Sequence, residues 1–210
     1  MSDDTEAGGF PQIQTWTRPG VPDPGGGAAY GEMIEHLREF LDKVAAARPD
    51  AAAIAALSDD LAAWSRRLAP MAVPEQEQIF AHRHDLPGRG QTMSPVLKVT
   101  EGDETYVRGK VTFGRYFLGG GGAAHGGSIP LVFDEVLGRL ANSGGRSRAR
   151  TAYLNVDFRA ITPIGAELDV HGWFVSEKGR KRLLRATLHH GATLCAETEG
   201  LFVVLKPGQP

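Results

Sequence analysis

"GSIPLVFDEVLGRLANSGG", residues 127–145, is the stretch that decides the fold, because it reads as one helix set among strands. Proline is tolerated only in the first turn of a helix, where its missing N–H has no bond to lose, so Pro130 places the start near Gly127 or Ser128. Ser128 is the expected N-cap, and Asn142-Ser143-Gly144-Gly145 ends the helix. Between these limits Ile129, Leu131, Val132, Phe133, Val136, Leu137 and Leu140 cover nearly the whole circumference. A helix apolar on nearly all sides is expected to be buried on nearly all sides.

Outward from it the grammar is β. "VLKV" and "TYVRGKVTF" precede the helix and are separated by the hairpin signal Glu101-Gly102-Asp103. After it, "TAYLNVDFRA" alternates Ala152, Leu154, Val156 and Phe158 against Thr151, Tyr153, Asn155, Asp157 and Arg159. "ELDVHGWFV" and "KRLLRATLHH" flank a Lys178-Gly179 turn, and "TLCAETEGLFVVL" follows Gly191. Long strands joined by short turns imply an antiparallel meander, with the single helix between its second and third strands. The class is α+β, a long antiparallel sheet wrapped around one central helix.

Upstream the organisation differs. Residues 1–28, rich in Gly, Pro and Asp, read as a flexible leader. Residues 29–70 read as a helical hairpin: Tyr30, Met33, Ile34, Leu37, Leu41 and Val44 form one apolar stripe, and Ile54, Leu57, Leu61, Trp64 and Leu68 another. Asp50 is the expected N-cap of the second helix. Residues 71–95, around Pro87-Gly88-Arg89-Gly90, read as a connector, and 96–207 as the sheet domain. The connector's His82 and His84 have no third ligand at a recognisable spacing, so no metal is expected.

The chain has 210 residues, 41% of them hydrophobic, enough for one ordinary core. Its 23 basic and 25 acidic residues leave a formal net charge of −2, which argues against a nucleic-acid partner. Cys195 is the only cysteine, so neither an intrachain disulfide nor a thiolate cluster is expected. No apolar run approaches the ~20 residues of a membrane span, and the acidic start does not read as a signal peptide. A cytoplasmic protein is expected.

Two features of the central segment carry chemistry. Glu135 has Arg139 at i+4 to pair with, whereas the helical neighbours of Asp134 are Pro130, Leu131, Leu137 and Gly138. An unpaired carboxylate among apolar residues costs free energy, so it is held from outside the helix or retained for reaction. Ahead of it, His125-Gly126-Gly127 leads into the helix N-terminus, whose free N–H groups suit an anion or a developing oxyanion. Glycine there lets a carbonyl approach the backbone. The stretch lacks the lysine of a phosphate-binding P-loop. Asp134 lies eight residues after Gly126, about 12 Å along a helix axis. One reacting carbonyl reaches both only if they come from two chains lying antiparallel, which implies a homodimer or a dimer of dimers.

These residues bring a family into view. His125-Gly126-Gly127, Asp134 nine residues after the histidine, "TAYLNVDFRAITPIG", "GRK" and "AETEGLF" resemble the hotdog-fold acyl-CoA thioesterases, of the phenylacetate-pathway and thioesterase-superfamily-member type, over about Val96 to Leu205. The resemblance implies that Gly126 supplies the oxyanion-hole N–H and that His125 positions the loop or binds the thioester side. Asp134 of the partner chain would act as general base on water or as nucleophile, and Thr151 would bond that water or the carboxylate. Strand alternation puts Thr151 opposite Leu154 and Val156, a conflict that a bulge near the strand start would remove.

Gly127 lies beside the same site, and Arg146, Arg148 and Arg150 would either meet the phosphates of coenzyme A or offset the helix's negative end. A thioester needs only a polarising donor and a base, so no cofactor is called for. The alternative on the same fold is a non-catalytic acyl-CoA or fatty-ligand binding protein. A dehydratase is disfavoured by the lack of its acid and histidine motifs.

Overall fold

A computed structural model describes residues 25–209, so residues 1–24 of the expected leader lie outside the described residues. The described chain divides into two compact units between Thr92 and Met93.

In the first unit, α1 (Gly27–Ala46) and α2 (Ala51–Leu68) follow one another, with Asp50 capping α2 through Ala53 N–H to Oδ1 at 2.8 Å. Residues 83–91, read as a connector, are tied down by side chains. Tyr30 Oη donates to the Gly90 carbonyl at 3.2 Å, and Arg38 Nη2 donates to the carbonyls of Pro87 and Gln91. Arg83, buried, donates to the carbonyls of Gly25 and Gly27 at 3.0 and 2.9 Å and pairs with Asp85. With Ile34, these contacts bury one side of α1. The α2 stripe of Ile54, Leu61, Trp64 and Leu68 is exposed. No described helix is long and apolar enough to cross a membrane.

The second unit is the expected α+β domain. Its strands are β1 (Lys98–Gly102), β2 (Tyr106–Thr112), β3 (Leu118–Gly120), β4 (Ala123–Ala124), β5 (Ala149–Phe158), β6 (Glu167–Lys178), β7 (Lys181–His190) and β8 (Thr193–Val204). Six form one antiparallel sheet in the order β1-β2-β6-β7-β8-β5, and β3 and β4 form a separate hairpin. The helix α3 (Ser128–Ala141) packs against β2, β5, β6, β7 and β8. Phe133, Val136, Leu137 and Leu140 are sealed there against Val107, Leu168, Leu184, Leu188 and Phe202. Gly172 and Gly200 leave room for this: a Cβ on either would lie 3.0–3.1 Å from Val136 Cγ1 or Leu137 Cδ1.

Two expectations about α3 are corrected. The helix begins at Ser128, with Gly127 in the cap position, and Ser128 Oγ donates back to the His125 carbonyl at 2.7 Å where an N-cap oxygen would accept. Nor is the helix buried all round. Pro130, Leu131, Glu135, Gly138 and Arg139 are only partly covered, and Asp134 is exposed. Apolar periodicity reports which residues prefer burial; within one chain the sheet covers one side of the helix.

Candidate active site

The glycines before α3 divide into three jobs. Gly121 and Gly122, at φ 57° and 79°, make the β3–β4 turn, where left-handed backbone favours glycine. Gly119 is demanded by close approach, since a Cβ there would sit 2.8 Å from the Cα of His125. Gly126 is different: a Cβ would meet only the Phe158 ring, at an ordinary 3.7 Å, and its φ is not left-handed. The fold does not require glycine at 126.

The loop His125–Ser128 consumes most of its own donors. His125 N–H donates to the Phe117 carbonyl at 2.7 Å, anchoring the loop beside β3. Gly127 N–H donates to His125 Nδ1 at 3.0 Å, and Ser128 N–H to the His125 carbonyl at 2.9 Å. Accepting at Nδ1 places the proton of the neutral imidazole on Nε2. Gly126 N–H has no acceptor among the described residues, and the residue is exposed. Gly127, grouped with the substrate contacts by the sequence, has its N–H already engaged.

Eight residues beyond Gly126, Asp134 accepts at Oδ1 from Thr151 Oγ1 at 2.8 Å. The partner that the sequence could not find for Asp134 within its helix is therefore on β5. The strand-parity conflict resolves through a bulge: the β5–β8 register shifts between Thr151 and Tyr153, so that Ala152 has no opposite number. Thr151 then pairs with the inward-facing Phe202 and turns toward α3, while Leu154 and Val156, beyond the bulge, also face inward. The second carboxylate oxygen, Oδ2, has no hydrogen-bond partner among the described residues.

Gly126 and Asp134 remain apart in one chain. The strand marks both stations, with Thr151 at Asp134 and Phe158 at Gly126. Those two strand residues are seven positions apart on β5.

The basic residues separate as well. Arg146 donates Nε to Glu177 at 3.1 Å and Nη1 to the Glu104 carbonyl at 2.8 Å, and its guanidinium lies 4.4 Å from the Phe174 ring centre. Arg148 is exposed. Arg150, also exposed, lies between Ala149 and Thr151 on β5 and so faces away from them. Glu135 pairs with Arg139 as expected, Oε1 to Nε at 2.6 Å. His82 turns Nδ1 to the Gln78 carbonyl at 2.7 Å, and among the described residues no three His, Cys, Asp or Glu side chains gather as metal ligands.

Two residues of this region make contacts that carried no signal in the sequence. Asn142, the C-cap of α3, donates Nδ2 to the Gly138 carbonyl at 2.7 Å and to the Ala149 carbonyl at 3.3 Å, and accepts from Ala149 N–H at 2.7 Å. Arg182, buried, donates Nη1 to the carbonyls of Ala141 and Ser147 at 2.8 and 2.7 Å and pairs with Glu177. An "NSGG" read as a helix stop says nothing about a side chain gripping the next strand.

Residues 121–197 match the sequence model of the thioesterase superfamily. A crystal structure of a thioesterase superfamily protein shares the fold, with a TM-score of 0.70 and 24% identity over 84% of this chain and 96% of that one. Further likenesses are to the E. coli PaaI protein of the phenylacetic acid degradation operon (18% identity, 51% of this chain and 82% of that one, TM-score 0.48). Another is to a Streptococcus mutans protein bound to acetyl-CoA (18% identity, 52% and 88%, TM-score 0.49). The first of these three shows the fold, which is the hotdog fold the resemblance implied. No curated protein matches the chain in sequence.

Proposed function

From a hotdog fold whose residues 121–197 match the thioesterase superfamily, we propose that this protein hydrolyses the thioester of an acyl-coenzyme A, in a site shared by two copies of the chain. The observation that carries this reading is the Asp134 carboxylate, held at Oδ1 by Thr151 at 2.8 Å and exposed to solvent. A carboxylate oriented at one oxygen and open at the other is arranged to take a proton from water or to attack directly.

The thioester carbonyl oxygen accepts from Gly126 N–H, the donor the loop leaves unclaimed, and negative charge developing there meets the positive end of α3. Asp134 of the partner chain takes a proton from water while the water oxygen bonds to the carbonyl carbon. The tetrahedral adduct collapses, breaking the carbon–sulfur bond, and coenzyme A leaves as a thiolate that needs no strong acid. If Asp134 is instead the nucleophile, the same thiolate leaves first and water cleaves the resulting anhydride. His125 keeps Gly127 and Ser128 folded back, so that Gly126 stays presented.

Of the basic cluster, Arg148, exposed just before β5, meets a phosphate of coenzyme A, whereas Arg150 faces away from Thr151, on the other side of the strand. The Arg146 guanidinium is engaged by Glu177 and the Glu104 carbonyl.

The test is a hydrolysis screen over acyl-CoAs that differ in chain length and head group, read as release of free thiol. Turnover of at least one class is expected. Saturable binding of acyl-CoA without thiol release across the series would make the protein the non-catalytic ligand binder.

A further inference from the structure

We propose that Asn142 is the positioning residue that sets the register of β5 on α3 and thereby delivers the Thr151 hydroxyl to Asp134. The inference rests on the thioesterase reading for its kinetic test, but its geometry stands apart from that reading.

β5 needs such a device. It is an edge strand, paired with β8 alone among the described residues, and its ladder is interrupted at Ala152. Only Ala149, Arg150 and Thr151, opposite Val204, Val203 and Phe202, lie before that break. A slip of one residue in so short a run would turn Thr151 to the far face of the sheet.

Asn142 holds both backbone polar groups of Ala149, its N–H at 2.7 Å and its carbonyl at 3.3 Å, as a neighbouring strand would. Ala149 stands two residues before Thr151, so the two share a face. The same amide is anchored to the helix through the Gly138 carbonyl at 2.7 Å. Gly138 lies one turn beyond Asp134. One side chain therefore links the helix turn after the carboxylate to the strand position before its hydroxyl partner. Arg182 steadies the intervening loop from its other side, through the carbonyls of Ala141 and Ser147.

The test is a double-mutant cycle on thiol release with Asn142→Ala and Thr151→Val, with thermal unfolding measured on every variant. Asn142→Ala should lower kcat by roughly 10- to 100-fold, the scale of a small misplacement, with KM changed less than about threefold. In the Thr151→Val background it should cost almost nothing more, because the hydroxyl it delivers is gone. Asn142→Asp keeps an oxygen for Ala149 N–H but sets a carboxylate against two carbonyls at a helix C-terminus. It should be less stable than Asn142→Ala and yet more active. Losses that multiply in the double variant, or activity that merely tracks unfolding temperature, would overturn the proposal. If the wild-type protein hydrolyses no acyl-CoA, the functional reading falls and a crystal structure of Asn142→Ala decides the positioning. A Thr151–Asp134 separation beyond about 3.5 Å would support it, and retention of the 2.8 Å bond would refute it.

Discussion

Replacing Asp134 by Asn isolates proton transfer from everything else this residue does. The amide oxygen can accept the bond that Thr151 Oγ1 now gives to Oδ1 at 2.8 Å, so the strand and helix keep their tie. The residue is exposed, and no core volume changes. Substitutions of that kind alter stability by about 0.5 kcal/mol or less, which in a domain of this size is a melting shift of roughly 1–2 °C. An amide cannot take the water proton or act as the nucleophile. A general base is typically worth 10²–10⁴-fold, about 2.7–5.5 kcal/mol of barrier, and a nucleophile more. Turnover would be followed by coupling released thiol to a chromogenic disulfide. Acyl-CoA affinity would be measured by calorimetry on the same preparation. The expected result is a fall in kcat of at least about 100-fold, with affinity within about threefold of wild type and an unchanged melting profile. Turnover within threefold of wild type, from a folded variant, would show that Asp134 is not the reacting carboxylate.

Other outcomes follow from the loop and the sheet. Gly126→Val should impair turnover severely while the protein still folds, because the backbone there accepts a Cβ at 3.7 Å from Phe158 and the obstruction falls on the substrate. His125→Ala should cost less, since it removes the acceptor of Gly127 N–H and leaves the Gly126 donor in place; a dead His125→Ala beside a tolerated Gly126→Val would reverse the assigned roles. His171 lies edge-on to Tyr106 and 4.9 Å from Trp173; burial, and then the nearby Arg108 guanidinium, hold its pKa below the usual 6.5. Above pH 6.5 both folded and unfolded states carry it neutral; as the pH falls from there toward the depressed folded value, the unfolded state takes up the proton first and stability is lost. His171→Gln should flatten the fall in melting temperature over that window, and an unchanged slope would count against the assignment.

The parts of this molecule legible in its sequence are those written as periodicity. Alternation and turn signals located the six strands of the main sheet, and Pro130 with Asn142-Ser143-Gly144-Gly145 bracketed the helix to within a residue at either end. The bulge at Ala152 was legible as a contradiction, because a chemically interesting Thr151 stood on the wrong face until one residue was taken out of register. What stayed hidden was contact between a side chain and a distant backbone carbonyl, since carbonyls are common to every residue and leave no pattern. Asn142 on Ala149, Arg182 on Ala141 and Ser147, and Tyr30 and Arg38 on residues 87–91 are all of this kind. The setting of the arginine cluster was hidden for a related reason. A run of cations suggests phosphates, yet the Glu177 that engages Arg146 is 31 positions away.

In the proposed mechanism Gly126 and Asp134 of opposite chains make one site, and mixed dimers test this directly. Asp134→Asn and Gly126→Val chains, each inactive alone, would be co-expressed in equal amount with different affinity tags, and the doubly tagged dimers isolated. If the site is shared, each mixed dimer joins an intact Gly126 to an intact Asp134 once. Activity should then return to about half of wild type per isolated dimer, or about a quarter in the unsorted mixture. If both groups serve from the same chain, every site in the mixed dimer carries one lesion, and the isolated heterodimer would be as inactive as its parents.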